Sequence, residues 1–183
     1  MAFLSDLRRF YGTGEKNPAG QSLEEFLEHY NPAKYESLCN TADIVVVRCE
    51  EKLTHWGQPL KVLMVKRSNH PSIGFWATPG GFVELKEDIS EGAARELEEE
   101  TGYRSDKLEW LITLRTTVAF CDERIEIFTA HDLIPTSQDL DEDEYIDVKA
   151  YTLDELKKKI FSGEIEDSKT IAAIMAYAVK YNR

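Results

Sequence analysis

Apolar positions along the chain repeat in two ways. Ala42-Asp-Ile-Val-Val-Val-Arg48 and Lys61-Val-Leu-Met-Val-Lys-Arg67 are short runs of branched apolar residues and predict β-strands. Leu108–Thr117, Arg124–Ala130 and Tyr145–Tyr151 are strand-like as well. The polar segment Glu50–Pro59, broken by Gly57 and Pro59, predicts a hairpin connection. Asp154–Phe161 and Ser168–Tyr181 have helical spacing instead, with Ile171, Ile174, Met175 and Ala178 forming the apolar stripe of the second. Near the start, Phe3-Leu4 and Phe10-Tyr11 around Leu7 suggest a short amphipathic helix. Glycines and Pro18 then punctuate Gly12–Gly20, and Ser22 with Glu25 opens another helix that ends before Pro32. The expected organisation is a helical N-terminal extension over 1–40 and one larger domain over 41–183. The extension reads as a packing appendage, or as a dimer contact or a flap over a neighbouring site. The element order gives an α/β (α+β) fold, a mixed sheet sandwiched by helices.

Gly81 to Tyr103 follows neither apolar pattern closely, because it is dominated by acids. Asp88, with Glu91 three residues later, predicts a capping box, and Gly102 is placed to end the helix in a left-handed conformation. On that helix Glu96, Glu99 and Glu100 stand at i, i+3 and i+4 and share a face, while Ala93, Ala94 and Leu97 lie towards a core. Carboxylates so placed repel each other, and a hard divalent cation that also binds phosphate would resolve the repulsion. Trp76-Ala-Thr-Pro-Gly-Gly81 reads as a turn that brings bare backbone close to whatever the helix holds. A solvated acidic face is the bland alternative; the co-occurrence of Gly-Gly, cap and three-carboxylate face argues against it.

Gly81, Glu87, the run Arg95-Glu-Leu-Glu-Glu-Glu-Thr-Gly102 and a final bulky position together resemble the Nudix box. Tyr103 departs from the pattern, standing where the family usually has an aliphatic residue. The resemblance implies an αβα sandwich and metal-dependent hydrolysis of a nucleoside diphosphate linked to another group. It implies Mg²⁺, with Mn²⁺ as a possible substitute and two or more ions per site. Glu96 and Glu100 are then direct ligands, Glu99 a ligand or the partner of a metal-bound water, and the Gly80 carbonyl a backbone ligand. Gly81, Glu87, Arg95 and Gly102 are structural, with Glu87 and Arg95 an ion pair steadying loop against helix.

Outside the box, Phe120–Phe128, Leu140–Val148 and Gly163–Ala173 resemble the second half of ADP-ribose pyrophosphatases. In those enzymes a loop glutamate activates or orients the attacking water; the matching residue here is Glu142, with Glu144 in reserve. A base on a mobile loop can approach such a water when substrate closes the site. Thr41-Ala-Asp-Ile, Val65-Lys-Arg67, His70-Pro71 and Phe75–Phe82 resemble Nudix domains tied to NAD metabolism, including ADP-ribose hydrolases and ADP-ribose sensors. Val118 stands where many ADP-ribose pyrophosphatases carry a proline. Arg67 and Arg115 are candidates to grip a diphosphate, and Trp76 or Phe120 to stack on a base; ordinary strand and core duty is the competing reading for each. The expected reaction is ADP-ribose to AMP and ribose 5-phosphate. A (d)NTP pyrophosphohydrolase is the alternative. A non-catalytic ADP-ribose sensor fits poorly, because every box acid is present.

Composition narrows the partners. With 183 residues and a net charge of −12, the chain lacks the basic footprint that a nucleic-acid backbone requires. Cys39, Cys49 and Cys121 are far apart without CxxC spacing, which argues against zinc and disulfides and for a reducing cytoplasm. No apolar run approaches a membrane span, and no secretory signal is expected. His29, His55, His70 and His131 have no ligand spacing and read as surface or loop residues. The expected partner is a small nucleotide, and a homodimer is possible.

Overall fold

The computed structural model describes residues 13–30, 40–48, 60–70, 72–84, 86–117, 123–140 and 146–181. The helix expected near the N-terminus, the hairpin at 50–59, the three cysteines, His55, Pro71, Val118, Phe120, Glu142 and Glu144 lie outside the described residues. The sheet is mixed. Strand β1 (Asn40–Arg48) runs parallel to β7 (Arg124–His131), which pairs antiparallel with β6 (Lys107–Arg115). On its other side β1 pairs with β2 (Lys61–Arg67), and β2 pairs along its length with β9 (Ile146–Thr152).

β1 and β2 touch only at Val46–Arg48 and Leu63–Lys61, and then diverge into a fork. Two short strands fill it: β3 (Trp76–Ala77) pairs with β2, and β4 (Gly80–Phe82) pairs with β1. The expected turn at Trp76–Gly81 is therefore a tight connection between two strands, with only Thr78 and Pro79 outside them. Pairing with the fork's two arms recruits its flanks into the sheet, and the Ile44 N–H donates to the Pro79 carbonyl at 2.8 Å.

Both faces of the sheet are covered, which explains the uninterrupted apolar runs. Ala42, Ile44 and Val46 face helix α2 (Ile89–Thr101) and pack with its Ala93 and Leu97. Val45 and Val47 face the opposite way, towards α3 (Leu153–Phe161) and α4 (Ser168–Lys180), with Leu156, Ala173, Ile174 and Tyr177 at the centre of that cluster. The αβα sandwich is thus as expected. A two-stranded sheet, β5 (Tyr103–Arg104) with β8 (Ile134–Pro135), was not; two-residue strands leave no periodicity to read.

The segment before β1 is joined to the domain. Helix α1 (Leu23–His29) starts with the Ser22–Glu25 capping box and buries Leu23. Thr13 N–H donates to the Ile73 carbonyl at 2.9 Å, and Asn17 Nδ2 donates to Asn69 Oδ1 at 2.9 Å. The Phe26 ring packs on His70, which lies in the loop after β2, as a surface-or-loop reading allows, but is buried there.

Candidate active site

Helix α2 is closed at both ends by its own sequence. Asp88 and Glu91 form the capping box, and Gly102 takes φ +68° and ψ +26°, donating its N–H to the Glu98 carbonyl. The next orphan carbonyls are met from the 136–139 segment: Asp139 N–H donates to Glu99 O at 3.1 Å and Gln138 Nε2 to Glu100 O at 2.6 Å. The helix end is therefore bonded to the stretch that precedes the acidic segment 141–145 in sequence.

Along the helix the carboxylates are held by the Arg95 guanidinium and the Gly80 backbone amide. Arg95 Nη1 donates to Glu96 Oε1 at 2.9 Å and to Glu99 Oε2 at 2.8 Å. Its Nε donates to Glu87 Oε1 at 3.0 Å, and its Nη2 to the Phe82 carbonyl at 3.0 Å. Glu87 in turn accepts the Glu84 N–H. Arg95 thus reaches well beyond the Glu87 pair. Burial opposes its charge, but the Glu87 hydrogen bond and the Glu96 and Glu99 carboxylates push its pKa above the usual arginine value. The same hydrogen bond from Arg95 holds Glu87 below the usual carboxylate range. Glu100 turns away and accepts the Gly80 N–H at 2.8 Å.

The two glycines of the fork are required by this packing. Gly80 has φ +147°, and a Cβ there would lie 2.3 Å from the Ala42 carbonyl oxygen. A Cβ on Gly81 would lie 2.6 Å from Glu96 Oε1. Backbone and buried carboxylates therefore meet with nothing between them.

Behind the fork, on the α4 face, is a second polar group. Asp43 is 1% exposed, and its only cationic neighbour among the described residues is Lys169, whose Nζ is 2.6 Å from Oδ1. Thr78 Oγ1 also donates to that oxygen, at 3.2 Å. Thr78 N–H donates to Thr170 Oγ1 at 3.0 Å, and the Thr170 hydroxyl donates to Asp167 at 2.6 Å. Burial pushes the Asp43 carboxyl up. Burial also disfavours the Lys169 charge, yet Asp43, Asp167 and the field of Glu100 together raise its pKa. Sequence reading passed over both residues. The available signal was one acid within the apolar run of β1, since a buried charge requires a partner.

A cleft of about 430 Å³ runs along β3 to the start of α4, walled by Arg67, Ser72, Phe75, Trp76, Asp167 and Lys169. Of the substrate contacts expected from sequence, Arg67 and Trp76 are brought together here. Trp76 also packs edge-on against Tyr151. Arg115 is not part of this wall; it sits exposed at the end of β6, opposite Arg124.

Among the described residues no three His, Cys, Asp or Glu side chains already converge on one point, because Arg95 and Gly80 hold the box carboxylates. The donor set nonetheless suits a hard cation. Glu96, Glu99 and Glu100 offer carboxylate oxygens on one helix face, two of these residues are buried, and Gly81 leaves the Glu96 carboxylate open to the backbone of the turn.

Residues 40–174 match the family model described as NUDIX domain. The chain belongs to the Nudix family. It is 40% identical over 160 residues to a methanol dehydrogenase activator of Bacillus methanolicus, covering 86% of this chain and 77% of that protein. It is 37% identical over 124 residues to an ADP-ribose pyrophosphatase of Bacillus subtilis (strain 168), covering 66% of this chain and 64% of that relative. The NUDIX domain of Shewanella oneidensis NrtR, solved in complex with ADP ribose, superposes with TM-score 0.56 over 88% of this chain and 99% of that one, at 24% identity, and so shares the fold. As a Nudix hydrolase, the chain acts on phosphoanhydride bonds of nucleoside-diphosphate-linked compounds, and its resemblance within the family is to the ADP-ribose pyrophosphatases. No helix among the described residues is long and apolar enough to cross a membrane.

Proposed function

We propose that this Nudix hydrolase cleaves ADP-ribose to AMP and ribose 5-phosphate in a Mg²⁺-dependent reaction. The observation that carries the substrate reading is the cleft along β3, at the start of α4. It sets two cationic side chains, Arg67 and Lys169, and two acids, Glu166 and Asp167, next to the Trp76 and Phe75 rings, and its volume of about 430 Å³ suits a nucleotide-sized ligand. The 37% identical pyrophosphatase supports the same reading.

Glu96 and Glu100, with Glu99 and the Gly80 carbonyl, would hold the cation. Bound Mg²⁺ supplies charge neutralisation at the pyrophosphate and a more acidic water. Arg95 holds the Glu96 and Glu99 carboxylates in register. Arg67 and Lys169 face the anionic diphosphate, and Trp76 offers an aromatic wall to the base. Glu142 takes the proton of the attacking water, with Glu144 as the reserve. The Asp139 bond to the end of α2 supports this assignment, since the acidic segment begins two residues further on in sequence.

The test is AMP release from ADP-ribose with Mg²⁺, beside ADP-glucose, a dinucleoside polyphosphate and a dNTP panel. ADP-ribose is expected to give the highest kcat/KM. Preference for a dNTP would replace the substrate with the house-cleaning alternative, and binding of ADP-ribose without turnover would favour a sensor. The 40% identical dehydrogenase activator supports a second reading, in which the chain acts on a partner enzyme. A purified alcohol dehydrogenase assayed with and without the protein tests it, and an unchanged rate would remove it.

A further inference from the structure

We propose that the first turn of α4 is a positioning device for the metal-binding turn, and that Thr170 and Lys169 act through Thr78 and Asp43 on Gly80. The inference rests on the metal-dependent reading above.

The turn is held from two sides. From the α2 side, Glu100 takes the Gly80 N–H at 2.8 Å. From the α4 side, Thr170 takes the Thr78 N–H at 3.0 Å, two residues away. Thr78 and Thr170 are 1% and 0% exposed, so water is not available as a substitute acceptor. The hydrogen bonds of the small network run in series from α4 to β1. The Thr170 hydroxyl accepts from Thr78 N–H and donates to Asp167; the Thr78 hydroxyl donates to Asp43; and Asp43 is completed by the Lys169 ammonium.

Asp43 also sits directly against the turn. It is the register partner of Gly80 in the β1–β4 pair, and a Cβ on Gly80 would lie 2.6 Å from the Asp43 Cα. A shift of Asp43 would therefore be transmitted to the Gly80 carbonyl without any intervening side chain. Lys169 is an unusual choice on local grounds, because a cation in the first turn opposes the helix dipole. A partner on the facing strand, Asp43, accounts for it. Its other surroundings connect the same network to substrate, since Lys169 and Ala77 both line the cleft.

The test compares T170V, which keeps the shape but loses the hydroxyl, with T170S, which retains it. Mn²⁺ binding without nucleotide is followed by calorimetry beside kcat, KM and the melting temperature, with E100Q as the control for a lost ligand. T170V is expected to weaken Mn²⁺ binding about tenfold and lower kcat, with nucleotide KM within about twofold of the unaltered protein; T170S is expected to restore both. Unchanged Mn²⁺ affinity in T170V, whatever its melting temperature, overturns the proposal while leaving the metal reading intact if E100Q still loses Mn²⁺. Undiminished Mn²⁺ binding in E100Q as well would bring down the metal reading itself. Amide hydrogen exchange of the unaltered protein is a second test that needs no variant to fold. Mn²⁺ is expected to slow exchange at Thr78 and in the first turn of α4 as well as at Gly80; protection confined to Gly80 and α2 overturns the coupling.

Discussion

Helices α2 and α4 are both 13 residues long and lie on opposite faces of the same sheet, yet they are built on opposite plans. α2 carries its charge along its length: Glu96, Glu99 and Glu100 share one face, and one arginine holds two of them. α4 is apolar through its body, burying Ala173, Ile174, Tyr177 and Ala178, and is polar mainly at its start. The first is a helix that the core tolerates on one side so that it can offer charge on the other. The second is a core helix whose first turn is given over to the fork. On α2 the charge runs along one face and is held by Arg95 and the Gly80 amide; on α4 it is confined to the first turn and paired with Asp43.

The comparison can be broken most directly at Glu100. Glu100→Gln is expected to lower hydrolysis at least about a thousandfold with an unchanged melting curve. Near-normal turnover would mean that α2 is not where the chemistry lies. Glu142→Gln is expected to lower kcat by about 10² to 10⁴ while Mn²⁺ affinity is retained; full activity there would transfer the role to Glu144. Ile174→Ala, in the body of α4, should cost about 2–5 kcal/mol in denaturant unfolding and leave kcat of the remaining folded protein unchanged. A fall in kcat larger than the loss of folded protein would blur the division between the helices.

Smaller effects sharpen it further. Arg95→Met leaves three carboxylates without their shared donor and should cost about 1–3 kcal/mol. Mg²⁺ is then expected to raise its melting temperature more than that of the unaltered protein, and an equal rise would argue against shared carboxylates. Glu87 is the mildest case. Its folded pKa lies below its unfolded value, so its contribution is present above the ordinary carboxylate pKa of about 4.3 and is lost as pH falls through the folded value. The melting difference between Glu87→Gln and the unaltered protein should be flat from neutral pH down to about pH 5 and then shrink; a constant difference at lower pH would exclude the linkage.

What could be read from the sequence was what is local. The capping box at Asp88, the left-handed Gly102 and the shared face of three glutamates are set by spacings within a few residues, and all three appear. The central strands were legible because both of their faces are buried, so each shows an unbroken apolar run. The fork was not legible, since β3 and β4 are too short to show alternation. Nor was Lys169 legible as Asp43's partner. Nothing in either segment names the other, although an acid in a buried strand announces that some partner exists.

That pairing also has a bearing on how the molecule assembles. Asp43 and Lys169 are separated by 126 positions, and β1 must find its parallel neighbour β7 across much of the same interval. Contacts between such distant parts of a chain form slowly, because a long loop must close before they return any stabilisation. Helix α2 has its caps in its own sequence and can form early, but the backbone turn it works with is completed only when the last helix arrives. During synthesis, a chain released from the ribosome only as far as residue 160 would hold every box glutamate and the whole fork, and still lack the Lys169 and Thr170 that brace it from behind.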